Sequence, residues 1–377
     1  MKPRIPVASP LLTQREAELV ASCVRSGWVS SRGSFITEFE ERFAAFCDRR
    51  FGVATSNGTT ALHLVLAALG VGPGDEVVVP ALTFVATANA VTYTGAKAVF
   101  ADCDPETWCM TPEAVECAIT PATKGIIVVH LYGQPAPMEQ ILAVAAEHGL
   151  WVVEDAAQAH GAELLVDGKW RKAGALGVAS CFSFYGNKII TTGEGGMVLT
   201  DDEELAQRMR MLRDHGMDPS RPYWHPVVGY NYRMTNMQAA LGVGQMERID
   251  EIIERKRRIA AGYYEGLEGI RGLRLPARVE WARAVWWMFS IVVEEHFGMG
   301  REELRAWLGE QGVETRPFFV PLNLLPPYQG RGQAPVAQWL GNRGINLPSG
   351  PDISREEIAR VCELIREAGG RGGRGQS

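Results

Sequence analysis

Val152-Val153-Glu154-Asp155-Ala156-Ala157-Gln158 is an apolar run that stops abruptly at two carboxylates. A short apolar stretch closed by polar residues reads as a buried strand, and parallel-sheet proteins gather their ligands beyond the carboxyl ends of such strands. An acid at that edge can pair with a cationic group on a bound molecule, or it can cap the turn that follows. Which of the two it does depends on its neighbours.

Outward from this stretch, short apolar runs alternate with helical patterns from about residue 50 to residue 215. Strands are expected at Gly52 to Thr55, Val77 to Val79, Ala98 to Phe100, Gly125 to His130, Leu150 to Val153, Ala179 to Phe184 and Gly196 to Thr200. The alternation predicts an α/β layer on a largely parallel sheet. Thr13 with Glu16, Thr235 with Gln238 and Ser354 with Glu357 have the spacing of capping boxes, in which two side chains satisfy the unpaired donors of a helix start. One long helix is expected from Thr235 toward Tyr264, followed by short strands and helices. We therefore expect a large α/β domain over 1–249, a smaller α+β domain over 250–368, and a disordered Gly- and Arg-rich tail over 369–377. No internal repeat is visible.

The chain has 377 residues, enough for one large and one smaller domain with a substantial core. Charged residues at 22%, hydrophobic residues at 46% and a formal net charge of -6 give no basis for binding nucleic acid. The seven cysteines are scattered, without the close pairs of zinc or redox motifs, so we expect reduced structural thiols and no metal site. The N-terminal segment lacks a secretory pattern and no apolar run reaches the length of a membrane span, so a cytoplasmic chain without membrane partners is expected.

Two further segments carry chemistry. Ser56-Asn57-Gly58-Thr59-Thr60-Ala61 follows one expected strand and opens an amphipathic helix to Gly70. Free N–H groups, a positive dipole end and added hydroxyls suit a phosphate there, although the same residues serve any helix as an N-cap. Ser183-Phe184-Tyr185-Gly186-Asn187-Lys188 and Thr191-Thr192-Gly193-Glu194-Gly195-Gly196 put a lysine just past a strand, in a loop of small residues. If desolvation lowers its pKa, such an amine can bond covalently to a carbonyl; a lone lysine is otherwise a solvated charge.

A phosphate cradle, an acid at a strand end, and a strand followed by Ser-x-x-x-x-Lys, in that order, resemble the aspartate-aminotransferase-like fold (PLP-dependent fold type I), and more narrowly the DegT-type sugar aminotransferases. Trp28-Val29-Ser30-Ser31, Gly72-Pro73-Gly74-Asp75-Glu76-Val77, Thr83-Phe84, Val129-His130-Leu131-Tyr132-Gly133 and Gly229-Tyr230-Asn231-Tyr232-Arg233 extend the likeness over nearly the whole chain. The resemblance implies pyridoxal 5'-phosphate (PLP) as cofactor, with Lys188 as the lysine that holds it and Asp155 as the partner of its ring nitrogen. It places Gln158 at the ring hydroxyl, Phe84 over the ring, Gly58, Thr59 and Ser183 at the phosphate, and Asn231 at the phosphate of a neighbouring subunit in a homodimer with shared sites. A dehydratase branch of the family carries histidine in place of the lysine, so Lys188 favours transamination.

Within the family the likeness is greatest to the branch that aminates GDP-4-keto-6-deoxymannose with glutamate as donor. It rests on Asp104-Pro105-Glu106-Thr107-Trp108-Cys109, Trp287-Met288-Phe289-Ser290-Ile291 and Glu314-Thr315-Arg316-Pro317-Phe318-Phe319. Arg316 is expected to clamp a carboxylate or phosphate, a structural ion pair being the alternative. One position departs from that branch: Asn323 stands before Pro326-Pro327-Tyr328 where a histidine is usual. If Asn323 touches the sugar the substrate can differ, with His130 or His215 as compensators. Amination of another keto sugar, a keto-deoxyoctonate or a keto-cyclitol remains open, as does a PLP-binding regulator without turnover.

Overall fold

A computed structural model describes residues 4–372. Helices α1 (Gln14–Ser26) and α2 (Ser34–Phe46) lead into β1 (Phe51–Thr55), α3 (Gly58–Ala68), β2 (Glu76–Pro80), α4 (Ala86–Tyr93) and β3 (Lys97–Ala101). Then come α5 (Pro112–Ala118), β4 (Thr123–Val129), α6 (Met138–Glu147), β5 (Trp151–Asp155), β6 (Glu163–Val166) and β7 (Lys169–Lys172). The large sheet is completed by β8 (Ala179–Ser183) and β9 (Gly196–Thr200), after which α7 (Glu203–Arg213), α8 (Asn236–Met246) and α9 (Ile249–Leu267) follow. The last third holds β10 (Leu273–Arg274), β11 (Ala282–Arg283), β12 (Ser290–Val293), α10 (Arg301–Glu310), β13 (Arg316–Pro317), α11 (Pro335–Arg343), β14 (Gly344–Asn346) and α12 (Arg355–Gly372).

Seven strands form one sheet in the order β1-β9-β8-β5-β4-β2-β3. β3, β2, β4, β5 and β8 pair in parallel, whereas β9 is antiparallel to both β8 and β1. Only β9 therefore runs against the rest. Strands such as Val77–Val79 and Ile126–Val129 are buried along their whole length because helices cover both faces, which is why they are continuous apolar runs. The consequence for function is directional: the carboxyl ends of β1, β2, β4, β5 and β8 open on one edge.

The three capping boxes are present at Thr13, Thr235 and Ser354. The expected single helix from Thr235 is instead two, α8 and α9, broken at Arg248 (φ -128°, ψ 12°). α8 packs on α1 and α2, with Gly242 against Phe39 and Gly244 against Glu16, while α9 packs on α12. The break re-aims the apolar stripe from one core to another. The hairpin β6–β7 was not expected from the sequence, although its Asp167-Gly168 turn (φ 49° and 72°) is a strong hairpin signal.

Two buried cores result. The first spans the large sheet and takes in Ile249, Ile252 and Ile253 of α9; the second holds Ile259, Tyr263 and Leu267 of the same helix with Phe289, Leu304, Ile345, Val361 and Ile365. Ile5, within the stretch expected to belong to the large domain, pairs with Val313 and joins the second core. Of the stretch expected to be a disordered tail, 369–372 continue α12 and 373–377 lie outside the described residues. All seven cysteines are free and only Cys117 is exposed. Among the described residues no helix is long and apolar enough to cross a membrane.

Candidate active site

At the open edge of the sheet lies a cavity of about 710 Å³, lined among others by Gly58, Thr59, Phe84, Asp155, Gln158, Ser183, Lys188 and Arg316. A wider surface groove of about 980 Å³ around Glu294 to Arg301 shows no comparable convergence. The start of α3 forms one wall. Asn57 Oδ1 accepts from the Thr60 N–H at 2.9 Å and Thr60 Oγ1 accepts from the Asn57 N–H at 3.1 Å. The Gly58 and Thr59 N–H groups are left without an acceptor among the described residues. A Cβ on Gly58 would stand 2.8 Å from that of Ser183, so only glycine lets α3 lie this close to the end of β8.

β5 delivers its two carboxylates to opposite faces, as strand alternation requires. Glu154 is fully buried and accepts from the N–H groups of Gly174, Leu176 and Gly177 at 2.7 Å each. Its remaining contacts are the buried Arg49 guanidinium at 3.9 Å and His130 Nε2 at 3.0 Å; because His130 Nδ1 accepts from the Ala136 N–H, the proton belongs on Nε2. Burial works to raise the Glu154 pKa, but these donors overcome it and hold the group ionised. Glu154 is thus a structural acid.

Asp155 points into the cavity. Thr87 Oγ1 donates to it at 2.8 Å and the Ala157 N–H at 3.2 Å, yet burial prevails and raises its pKa. A buried carboxylate in that state gains from a cation placed beside it. Two residues on, Gln158 Oε1 accepts from the Tyr132 N–H at 2.7 Å, which leaves its amide NH₂ for the cavity.

Lys188 sits in the loop after β8, its N–H bonded to the Tyr185 carbonyl at 2.8 Å. Its Nζ lies 3.9 Å from the centre of the Trp287 ring, and the Trp287 indole N–H donates to the Asn187 carbonyl at 2.6 Å. Burial pushes the Lys188 pKa down to about 8, with the Asp155 charge acting in the opposite sense. A substantial neutral fraction near pH 8 makes this amine a competent nucleophile and base.

The Arg316 side chain lines the cavity, exposed, and makes no ion pair or hydrogen bond among the described residues. The aromatic segments divide: Trp287 and Phe319 face the cavity, Phe318 packs on Trp108 in the first core and Phe289 lies in the second. Asn323 is not brought to the cavity. It is buried in a turn whose Leu322 N–H is tied to the Ala81 carbonyl, and its amide reaches the Gly332 carbonyl at 3.4 Å. His130 is committed to Glu154, and His215 lies exposed beside Arg233. Asn231 is also outside its own chain's cavity: it is exposed, with Oδ1 accepting from Arg233 Nε at 3.0 Å.

Thr87 and Tyr93, absent from the sequence motifs, also line the cavity, as does Tyr185, quoted beside Lys188 without a role. Thr87 carries no local signal, because its role exists only once α4 is folded against β5. Glu194 was quoted within its loop without a role and also lines the cavity.

The model of the DegT/DnrJ/EryC1/StrS aminotransferase family matches residues 10–366. The chain is 47% identical to a GDP-perosamine synthase of Caulobacter vibrioides, over 96% of this chain and 98% of that one. To a GDP-perosamine synthase of Escherichia coli it is 45% identical, again over 96% of this chain and 98% of the other. Among solved structures, S. venezuelae DesV in complex with a ketimine intermediate is 37% identical, with a TM-score of 0.91 covering 98% of this chain and 99% of that chain.

Proposed function

Because this chain belongs to the DegT/DnrJ/EryC1/StrS aminotransferase family, a PLP-dependent enzyme family, we propose that it transfers the amino group of L-glutamate to GDP-4-keto-6-deoxy-D-mannose, forming GDP-perosamine. The observation that carries the reading is the meeting of Lys188, Asp155 and the α3 N-terminus in one cavity. The substrate choice is supported by the names of the two bacterial relatives, which match along nearly the full length of this chain.

The residues present fit PLP. The free Gly58 and Thr59 N–H groups, with the Thr59 and Ser183 hydroxyls, would hold its phosphate. Asp155 would meet its ring nitrogen, Gln158 its ring hydroxyl and Phe84 its face. When bound, PLP supplies a conjugated ring that takes up the electron pair left as the reacting carbon loses a proton. Lys188 would hold the cofactor through its Nζ, and the same amine would carry that proton away from the reacting carbon and return it. Asp155, as a carboxylate, would favour positive charge on the ring nitrogen. Arg316 offers its free guanidinium to the donor carboxylate or the substrate phosphates.

We also propose a homodimer with shared sites, in which Asn231 reaches the partner's phosphate cradle. Its exposure is consistent with this, as is the bared apolar segment holding Tyr223, Trp224, Val227 and Val228. Lys188→Ala should abolish turnover, and borohydride should fix the cofactor on Lys188 alone. Substrate is tested by incubating the enzyme and glutamate with GDP-, UDP- and dTDP-linked keto sugars and weighing the products. Amination of the GDP sugar in preference to the others is expected; preference for a UDP or dTDP sugar would overturn the substrate while leaving the family chemistry intact.

A further inference from the structure

Lys256 lies midway along α9, almost fully buried, and has no ion pair among the described residues. Its Nζ donates to the Trp287 carbonyl at 2.7 Å and to the Ser349 carbonyl. The Asp352 carboxylate acts on it only through space, too far for an ion pair; an ammonium so placed is costly to bury, and a methionine of similar length would fill the same space without that penalty. The side chain therefore has to be explained by what it holds. Ile252 and Ile253 before it belong to the first core and Ile259 after it to the second, so Lys256 sits where α9 passes between them.

Both of its partners lead toward the cavity. Trp287 presents its ring to the Lys188 amine at 3.9 Å and bonds the adjoining Asn187 carbonyl through its indole N–H. Ser349 Oγ accepts from the Phe289 N–H at 2.9 Å, so residues 287 to 289 are fixed at two points. Burial lowers the Lys256 pKa to about 7, but a neutral amine keeps two N–H groups, and both carbonyl bonds survive deprotonation.

We propose that Lys256 is a positioning residue for Lys188: by pinning the Trp287 carbonyl it keeps the indole against the Lys188 amine and shields that side of it from water. The inference rests on the assignment of Lys188 made above. Burial is the largest cause of the low Lys188 pKa. If Trp287 is released, the side it covers opens to water as well and the pKa climbs back toward its ordinary value. Loss of the ring's attraction for the ammonium acts the other way and is the smaller effect.

The test uses the full-length chain freed of cofactor, treated with an amine-acylating reagent across a pH series, with the Lys188 peptide followed by mass spectrometry. Lys256→Met should raise the acylation midpoint of Lys188 by about one pH unit or more, a roughly tenfold slower reaction at neutral pH. Exposed Lys97 and Lys124 serve as internal references and should not change. Trp287→Phe should shift the midpoint the same way, and the double variant should go no further than the larger single one. Lys256→Arg, which keeps donors, should stay nearer the native midpoint. A lower melting temperature with the midpoint unmoved would assign Lys256 to stability alone and overturn the proposal, as would additive shifts in the double variant. If Lys256→Met does not fold, Lys256→Gln is read in the same way, and failure of both to fold also overturns it. Borohydride trapping of the native holoenzyme tests the Lys188 assignment separately, because the labelled lysine does not depend on the state of Lys256.

Discussion

At Asp155, burial raises the carboxyl pKa while the Thr87 hydroxyl, first among several opposing groups, lowers it. The reaction needs the carboxylate, so Thr87 is as much a part of the acid as its own oxygens. Hydrogen bonds to charged groups contribute roughly 1.5–3 kcal/mol, and one pKa unit corresponds to about 1.4 kcal/mol. Thr87→Val should therefore raise the Asp155 pKa by about one unit or more. Protonation then sets in at higher pH as the medium is acidified, so the acid limb of the kcat profile should move upward by about one pH unit, while kcat on the plateau above it stays near native. Thr87→Ser should keep most of the native profile. An unshifted acid limb in the valine variant would show that Thr87 does not hold Asp155 ionised.

The element that matters most is α3, whose first turn must lie against the end of β8. Gly58→Ala would set a Cβ 2.8 Å from that of Ser183, and neither backbone can yield without moving the unpaired Gly58 and Thr59 N–H groups. Cofactor affinity should drop by about tenfold or more, the equivalent of losing one charge-assisted hydrogen bond, read by absorbance titration of the stripped protein. Unchanged affinity would place the phosphate elsewhere. α8 offers a contrasting case remote from chemistry: Gly242→Ala brings a Cβ to 2.7 Å from the Phe39 ring, between α8 and α2. Overpacking of this kind costs about 1–3 kcal/mol, so denaturation midpoints should fall while the cofactor affinity of the folded protein stays native.

For the molecule as a whole, His160 couples stability to pH. It is buried among Phe43, Phe182 and Phe184, and burial, aided by the Lys188 charge and only partly opposed by the Ser183 backbone, lowers its pKa to about 3 from an ordinary 6.5. Between those values the unfolded chain binds a proton that the folded chain refuses. Stability is therefore lost as pH falls below about 6.5, at up to about 1.4 kcal/mol per unit. His160→Leu should lose melting temperature less steeply than the native protein between neutral pH and about pH 4.5; parallel slopes would remove His160 as the source. Quaternary structure has its own test. Mixing a Lys188→Ala chain with an Asn231→Ala chain should restore activity if subunits share sites, since half of the mixed dimer's sites then carry both native residues. No rescue would confine each site to one chain.

The sheet was legible because strands buried on both faces must be continuous apolar runs, as at Val77–Val79 and Ile126–Val129. Helix starts were legible because capping is local chemistry: Thr13, Thr235 and Ser354 each find their partner three residues on. The sequence also brought Asp155, Ser183 and Lys188 into view, since each stands at or just beyond a strand end, where chain order and spacing alone carry the information. What it could not reveal were relations between distant segments. Glu154 and Asp155 are adjacent and alike in charge, and only the pleat of β5 and the covering residues 174–177 make one structural and leave the other to the cavity. Thr87 on Asp155, Trp287 against Lys188, and the withdrawal of Asn323 into a buried turn all follow from tertiary packing. The same holds for the break at Arg248, where a helix periodic enough to continue must turn to serve two cores. Local periodicity and capping fixed which segments form and where they end; desolvation and long-range contact decided which of their side chains can do chemistry.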